Sequence, residues 1–91
     1  MYIATITLND KVETLTLGED PAMAMTAVTS LIDMMTRRMH KRPTKFKIHV
    51  DKERSGGEDE MDIWNEGTEV YYRCFGKITG NEANMMDYLM I

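Results

Sequence analysis

DPAMAMTAVTSLIDMMTRRMHKRP, residues 20–43, separates two runs of alternating polar and apolar residues, and its own period decides the fold. Asp20 is an N-cap residue type and Pro21 suits the first helical position, where its missing N–H has no helical partner to lose. At 100° per residue, Ala24, Val28, Leu31 and Met35 fall in one narrow stripe, flanked by Ala27, Ile32 and Met39. Thr26, Thr29, Asp33 and Arg37 fall on the other side, so the segment reads as an amphipathic helix lying on a sheet. Pro43 disfavours α geometry in the residue before it, which ends the helix by Arg42.

The flanking runs have period two. YIATITL, residues 2–8, sets Tyr2, Ala4, Ile6 and Leu8 against Ile3, Thr5 and Thr7. Asn9-Asp10 supplies turn chemistry, and residues 12–17 return as a second strand with Leu15 and Leu17 inward. Beyond Pro43, Phe46, Ile48 and Val50 alternate with Lys45, Lys47 and His49. DKERSGGEDE, residues 51–60, is a polar loop. Residues 61–64 form a short fourth strand, Asn65-Glu66-Gly67 a turn, and residues 68–79 a long fifth strand. On that strand Val70, Tyr72, Cys74 and Ile78 face inward, and Tyr71, Arg73, Phe75 and Lys77 face outward. The tail NEANMMDYLMI reads either as a short helix capped by Asn81 or as an irregular apolar segment. The order is ββαβββ, with a terminal α if the tail is helical, an α+β domain over residues 1–91 with one amphipathic helix packed on an antiparallel-rich sheet.

Ninety-one residues suffice for one domain. No run of eighteen apolar residues occurs, so a spanning helix is excluded. MYIATITL has no basic region ahead of a continuous apolar stretch, and Cys74 has no second cysteine to join. No secretory signal is expected, and a reducing, cytoplasmic setting follows. The ten methionines serve as adaptable filler in a small core; self-association through a Met-rich surface is the other use of such side chains.

Motifs for chemistry are absent. His40 and His49 are nine residues apart with different orientations, and Glu58, Asp59, Glu60 and Asp62 lack the spacing of a calcium loop, so no metal or other cofactor is expected. Ser30 and Ser55 lack a nucleophile-elbow context, Cys74 has no cationic helper nearby in sequence, and Gly56-Gly57 is not a phosphate loop. No enzyme is expected.

Charge is unevenly distributed in a chain of net charge -4. Arg37, Arg38, Lys41, Arg42, Lys45, Lys47, Lys52 and Arg54 are eight of the eleven cations. Glu58, Asp59, Glu60, Asp62, Glu66 and Glu69, six of the fifteen acids, then follow with no cation among them. Such bipolar fields select partners. Two partner-binding sets follow: a basic patch of Arg37, Arg38, Lys41, Arg42, Lys45 and Lys47, and an acidic patch of the six carboxylates just named. A further expectation is that the two segments neutralise each other as neighbours.

The outward residues Tyr71, Arg73, Phe75 and Lys77 form an exposed sheet face beside Lys45, Lys47 and His49. YYRCFGKI resembles the aromatic strand of an RRM, although the element order here departs from βαββαβ and no second aromatic motif is present. Rings interleaved with cations suit single-stranded nucleic acid; an uncovered face with Tyr, Phe and Arg equally suits a protein partner. An acidic pI of about 5.1 favours protein. In size, acidity and lack of catalytic motifs the chain resembles the small accessory proteins that phages and other mobile elements use to block host machinery, anti-CRISPR proteins among them. That resemblance lies in overall composition and transfers no residue. It implies a non-catalytic inhibitor occupying a surface of a larger protein or ribonucleoprotein complex, with single-stranded nucleic-acid binding as the alternative.

Overall fold

The computed structural model describes residues 1–52 and 60–75, the last two by backbone alone. The order is β1 (Tyr2–Leu8), β2 (Lys11–Gly18), α1 (Pro21–Met39), β3 (Phe46–Lys52), β4 (Glu60–Glu66) and β5 (Glu69–Phe75). The strands form one sheet in the order β2-β1-β3-β4-β5, with every neighbouring pair antiparallel. β2 and β3 therefore run parallel on either side of β1, and α1 makes the crossover that such a pair requires. Helix on antiparallel sheet is the α+β architecture expected from the sequence.

Local chemistry explains the helix boundaries. Asp20 is extended (φ -87°, ψ 123°) and its carboxylate accepts the Ala22 N–H at 3.0 Å, satisfying one orphan donor of the first turn. The helix ends at Met39 with His40 as C-cap, and the N–H groups of Lys41 and Arg42 both bond the Arg38 carbonyl. The polar face is rich in Thr and Ser. Thr26, Thr29, Ser30 and Thr36 each donate a hydroxyl proton to the carbonyl four residues back, at 2.8–3.2 Å, so these weak helix formers are satisfied within the helix.

The core lies between α1 and one sheet face. Ala24, Met25, Val28, Ile32 and Met35 of the helix meet Tyr2, Ala4, Ile6, Phe46, Ile48, Val50, Met61 and Ile63, all buried. Burying a side chain such as Ile32, Ile48 or Ile63 contributes about 1.5–3 kcal/mol. The period-two faces of β1 and β3 are as expected. Val70 and Tyr72 pack half-buried against the core from β5, and the register sets them opposite Asn65 and Ile63.

Three differences have physical causes. Met25 is buried, whereas Leu31 is only partly so, because the contact surface of the helix is turned toward the Met25–Ile32 side of the expected stripe. Leu15 pairs with Ala4 and so shares the core side, yet remains 43 % exposed, because β2 is an edge strand at the rim of the helix's cover. β4 is longer than residues 61–64, since pairing with β3 and β5 extends it in both directions.

The turns sit where backbone chirality demands special residues. Asn9 has φ 54° in the two-residue β1–β2 hairpin and Gly67 has φ 63° between β4 and β5, conformations open to Asn and Gly at low cost. Asn9 also docks the segment before β3: its N–H donates to the Lys45 carbonyl at 2.7 Å, and its Oδ1 accepts the Lys45 N–H at 3.0 Å. The β1–β2 turn, the end of α1, the start of β3 and the β4–β5 turn thus meet at one end of the sheet.

Candidate functional site

Alternation along each strand sends half of the sheet's side chains away from α1, and among the described residues no helix lies on that second face. The registers align these side chains in rows running across the strands. One row is Val12, Thr7, Lys47, Trp64 and Tyr71; the next is Thr14, Thr5, His49, Asp62 and Arg73. A third contains Thr16, Ile3, Asp51 and Glu60, with the backbone of Phe75 opposite Glu60.

The first row carries the aromatic surface. Trp64 and Tyr71 stack with ring centroids 6.0 Å apart and planes 21° from parallel, a geometry in which aromatic pairs attract beyond the area they bury. Lys47 lies directly across from Trp64 on the other side. The Tyr71 hydroxyl donates to Glu69 at 2.5 Å; that hydrogen bond, with the negative charges of Glu69 and Glu66, raises the phenol above its ordinary pKa. A concavity of about 590 Å³ opens beside the row, lined by Thr7, Asp10, Lys45, Lys47, Trp64 and Arg73 among others.

The second row is an ion-pair chain. Asp62 is 8 % exposed; one carboxylate oxygen lies 2.6 Å from His49 Nδ1 and the other 3.2 Å from Arg73 Nη2. Burial pushes the Asp62 carboxyl up, but the hydrogen bonds from His49 and Arg73, with the charges of His49 and Lys47, outweigh it and hold the pKa below its ordinary value. Asp62 is therefore ionised at neutral pH, and the His49 Nδ1–H is the donor. Between the second and third rows a ring nitrogen of His49, a carboxylate oxygen of Asp51 and one of Glu60 all lie within 4.8 Å of one another.

The charge clusters drawn from the sequence are rearranged. Glu60 and Glu66 stand at opposite ends of β4, about 20 Å apart at strand rise, and Asp62 between them is buried and doubly paired. Among the described residues the acids therefore do not form one contiguous patch; Glu66 and Glu69 face each other at the β4–β5 turn, while Glu58 and Asp59 lie outside the described residues. The basic set also divides. Arg37 pairs with Asp33 at 3.0 Å along the helix, and Arg38 is half-buried with its Nε hidden and without a hydrogen-bond partner. Lys41, Arg42, Lys45 and Lys47 are exposed. The basic and acidic segments touch, at Asp62.

Tyr71 and Arg73 stand on the open face as expected; Lys77, Ile78 and the tail lie outside the described residues, as do the side chains of Cys74 and Phe75. Sequence reasoning missed two residues. Trp64 joins the open face, which period-two counting from Met61 and Ile63 would have found. Asn65, read as a turn residue, is buried and ties three segments together: it accepts the Phe46 N–H at 2.8 Å and donates to the carbonyls of Thr44 and Gly67 at 2.7 and 3.0 Å. Its amide also contacts the Met39 sulfur at 3.3 Å, linking the helix end to the sheet.

Comparison with family models, with curated proteins and with solved structures gives no match to this chain. Among the described residues, no helix is long and apolar enough to cross a membrane.

Proposed function

We propose that this protein is a non-catalytic binding module that seats the helix-free face of its sheet on a larger protein partner. The observation that carries the reading is the Lys47–Trp64–Tyr71 row beside the concavity. It is a stacked aromatic pair with a cation on one side and the Glu69 carboxylate on the other. Trp, Tyr and Arg dominate the energetics of protein interfaces, and a partner with complementary patches can answer both signs of charge.

Single-stranded nucleic acid is the second reading, supported by the same rings and by Lys45, Lys47 and Arg73. Asp10 lines the concavity and Glu69 bonds the Tyr71 hydroxyl, so a phosphate chain following the cations meets carboxylates at both margins. Protein is favoured on that ground. An accessory protein that blocks host machinery is the narrower form of the proposal, and the identity of the captured partner tests it.

The experiment is capture from host lysate by wild type and by Lys47→Glu/Tyr71→Ala, with and without nuclease. A protein held by wild type after nuclease treatment and lost by the double variant supports the proposal. Recovery of nucleic acid alone, with proteins released by nuclease, supports the second reading. Equal capture by both forms removes the open face from the account.

A further inference from the structure

The geometry points to a divalent transition-metal site on the open face, formed by His49 and Asp51 of β3 and Glu60 of β4. The ligands come from two strands, which is why spacing along the chain gave no sign of them. The register sets Asp51 directly opposite Glu60, with His49 two residues earlier on the same side. One potential donor atom from each of the three residues lies within 4.8 Å of the other two, so small side-chain adjustments bring them to the separations of about 4 Å or less that ligand distances of about 2.0–2.2 Å require.

Asp62 supplies a feature that a chance cluster of carboxylates lacks. Almost fully buried, it lies 2.6 Å from His49 Nδ1 and accepts that N–H, which leaves the lone pair of the other ring nitrogen for a metal. A carboxylate behind a histidine fixes the tautomer and ring orientation and raises the basicity of the ligating nitrogen. Arg73 holds the second Asp62 oxygen at 3.2 Å and so anchors the orienting group. Asp62 is a positioning residue here, not a ligand.

The donor set selects the ion. One imidazole with two carboxylates suits zinc and the other late first-row divalent ions, whereas magnesium and calcium take oxygen ligands. Three protein ligands leave coordination positions open for water or for a donor from another molecule. The bound ion would clamp β3 to β4 at the end of the sheet remote from Asn65.

Zinc and magnesium titrations of the whole protein, read by calorimetry, test the site, with manganese(II) broadening of amide NMR signals as a second readout. Saturable binding of one zinc is expected, with magnesium far weaker and broadening centred on residues 49–51 and 60–62. Glu60→Gln and Asp51→Asn, near-isosteric changes on a strand surface, should each weaken zinc by at least tenfold. Asp62→Asn should weaken it roughly 10–100-fold while the broadening stays centred on the same residues, which a purely structural role would not produce. His40→Asn should change nothing. Zinc binding that survives the Glu60→Gln/Asp51→Asn double variant, binding that depends on Cys74 or His40 instead, or no saturable binding at all would overturn the site.

Discussion

Asp62 on β4 holds the imidazole of His49 on β3 at 2.6 Å, and this cross-strand contact joins the basic and acidic segments that the sequence sets apart. Asp62→Asn keeps the shape and removes the charge. His49 and Arg73 retain 35 % and 61 % side-chain exposure, so water compensates part of the loss, and the cost should be about 1–2 kcal/mol. The pH profile gives a sharper check. The folded carboxyl titrates below its ordinary 3.8, so its contribution is present in full above about pH 4 and is lost as pH falls through the lower folded value. Below about pH 4, wild type should lose stability on acidification more steeply than Asp62→Asn; parallel profiles would contradict the pairing.

Asn65→Ala should be the more damaging substitution. It strands the buried Phe46 N–H and removes the donors to the Thr44 and Gly67 carbonyls. A loss of about 2–4 kcal/mol is expected in urea melts. Asn65→Asp, which keeps the acceptor but not the donors, should recover only part of it.

Asp20→Ala removes the helix N-cap, whose carboxylate accepts the Ala22 N–H at 3.0 Å. A cost of about 1 kcal/mol is expected, equivalent to a fall of roughly 4–8 °C in Tm for a domain of this size. Asp20→Ser should restore most of it, because a hydroxyl caps as well.

The parts of this fold legible in the sequence were those governed by neighbours along the chain. Tyr2, Ala4 and Ile6, and Phe46, Ile48 and Val50, mark their buried face because period two is a property of the strand itself. Asp20 and Pro21 mark a helix start for reasons internal to four residues. What was not legible depends on strand pairing. Asp62 resembles its acidic neighbours until β3 and β5 place His49 and Arg73 beside it, and Glu60 joins His49 and Asp51 only through the β3–β4 register. Leu15 has the pattern of a core residue; its exposure follows from the edge position of β2. Asn65 carries turn chemistry in its side chain, but burial converts that chemistry into a link between segments nineteen to twenty-six positions away.

The central claim is that the helix-free sheet face, not the outer surface of α1, meets the partner. Hydroxyl-radical footprinting of the free protein and of the captured complex tests it directly, because both surfaces carry oxidisable side chains. Met23 and Met34 on the helix are 67 % and 61 % exposed, and Tyr71 on the open face is 38 % exposed beside Trp64. Protection of Trp64 and Tyr71, with Met23 and Met34 oxidised as in the free protein, is the predicted result. Protection of Met23 and Met34 with unchanged oxidation of Trp64 and Tyr71 would contradict it and assign the interface to the helix.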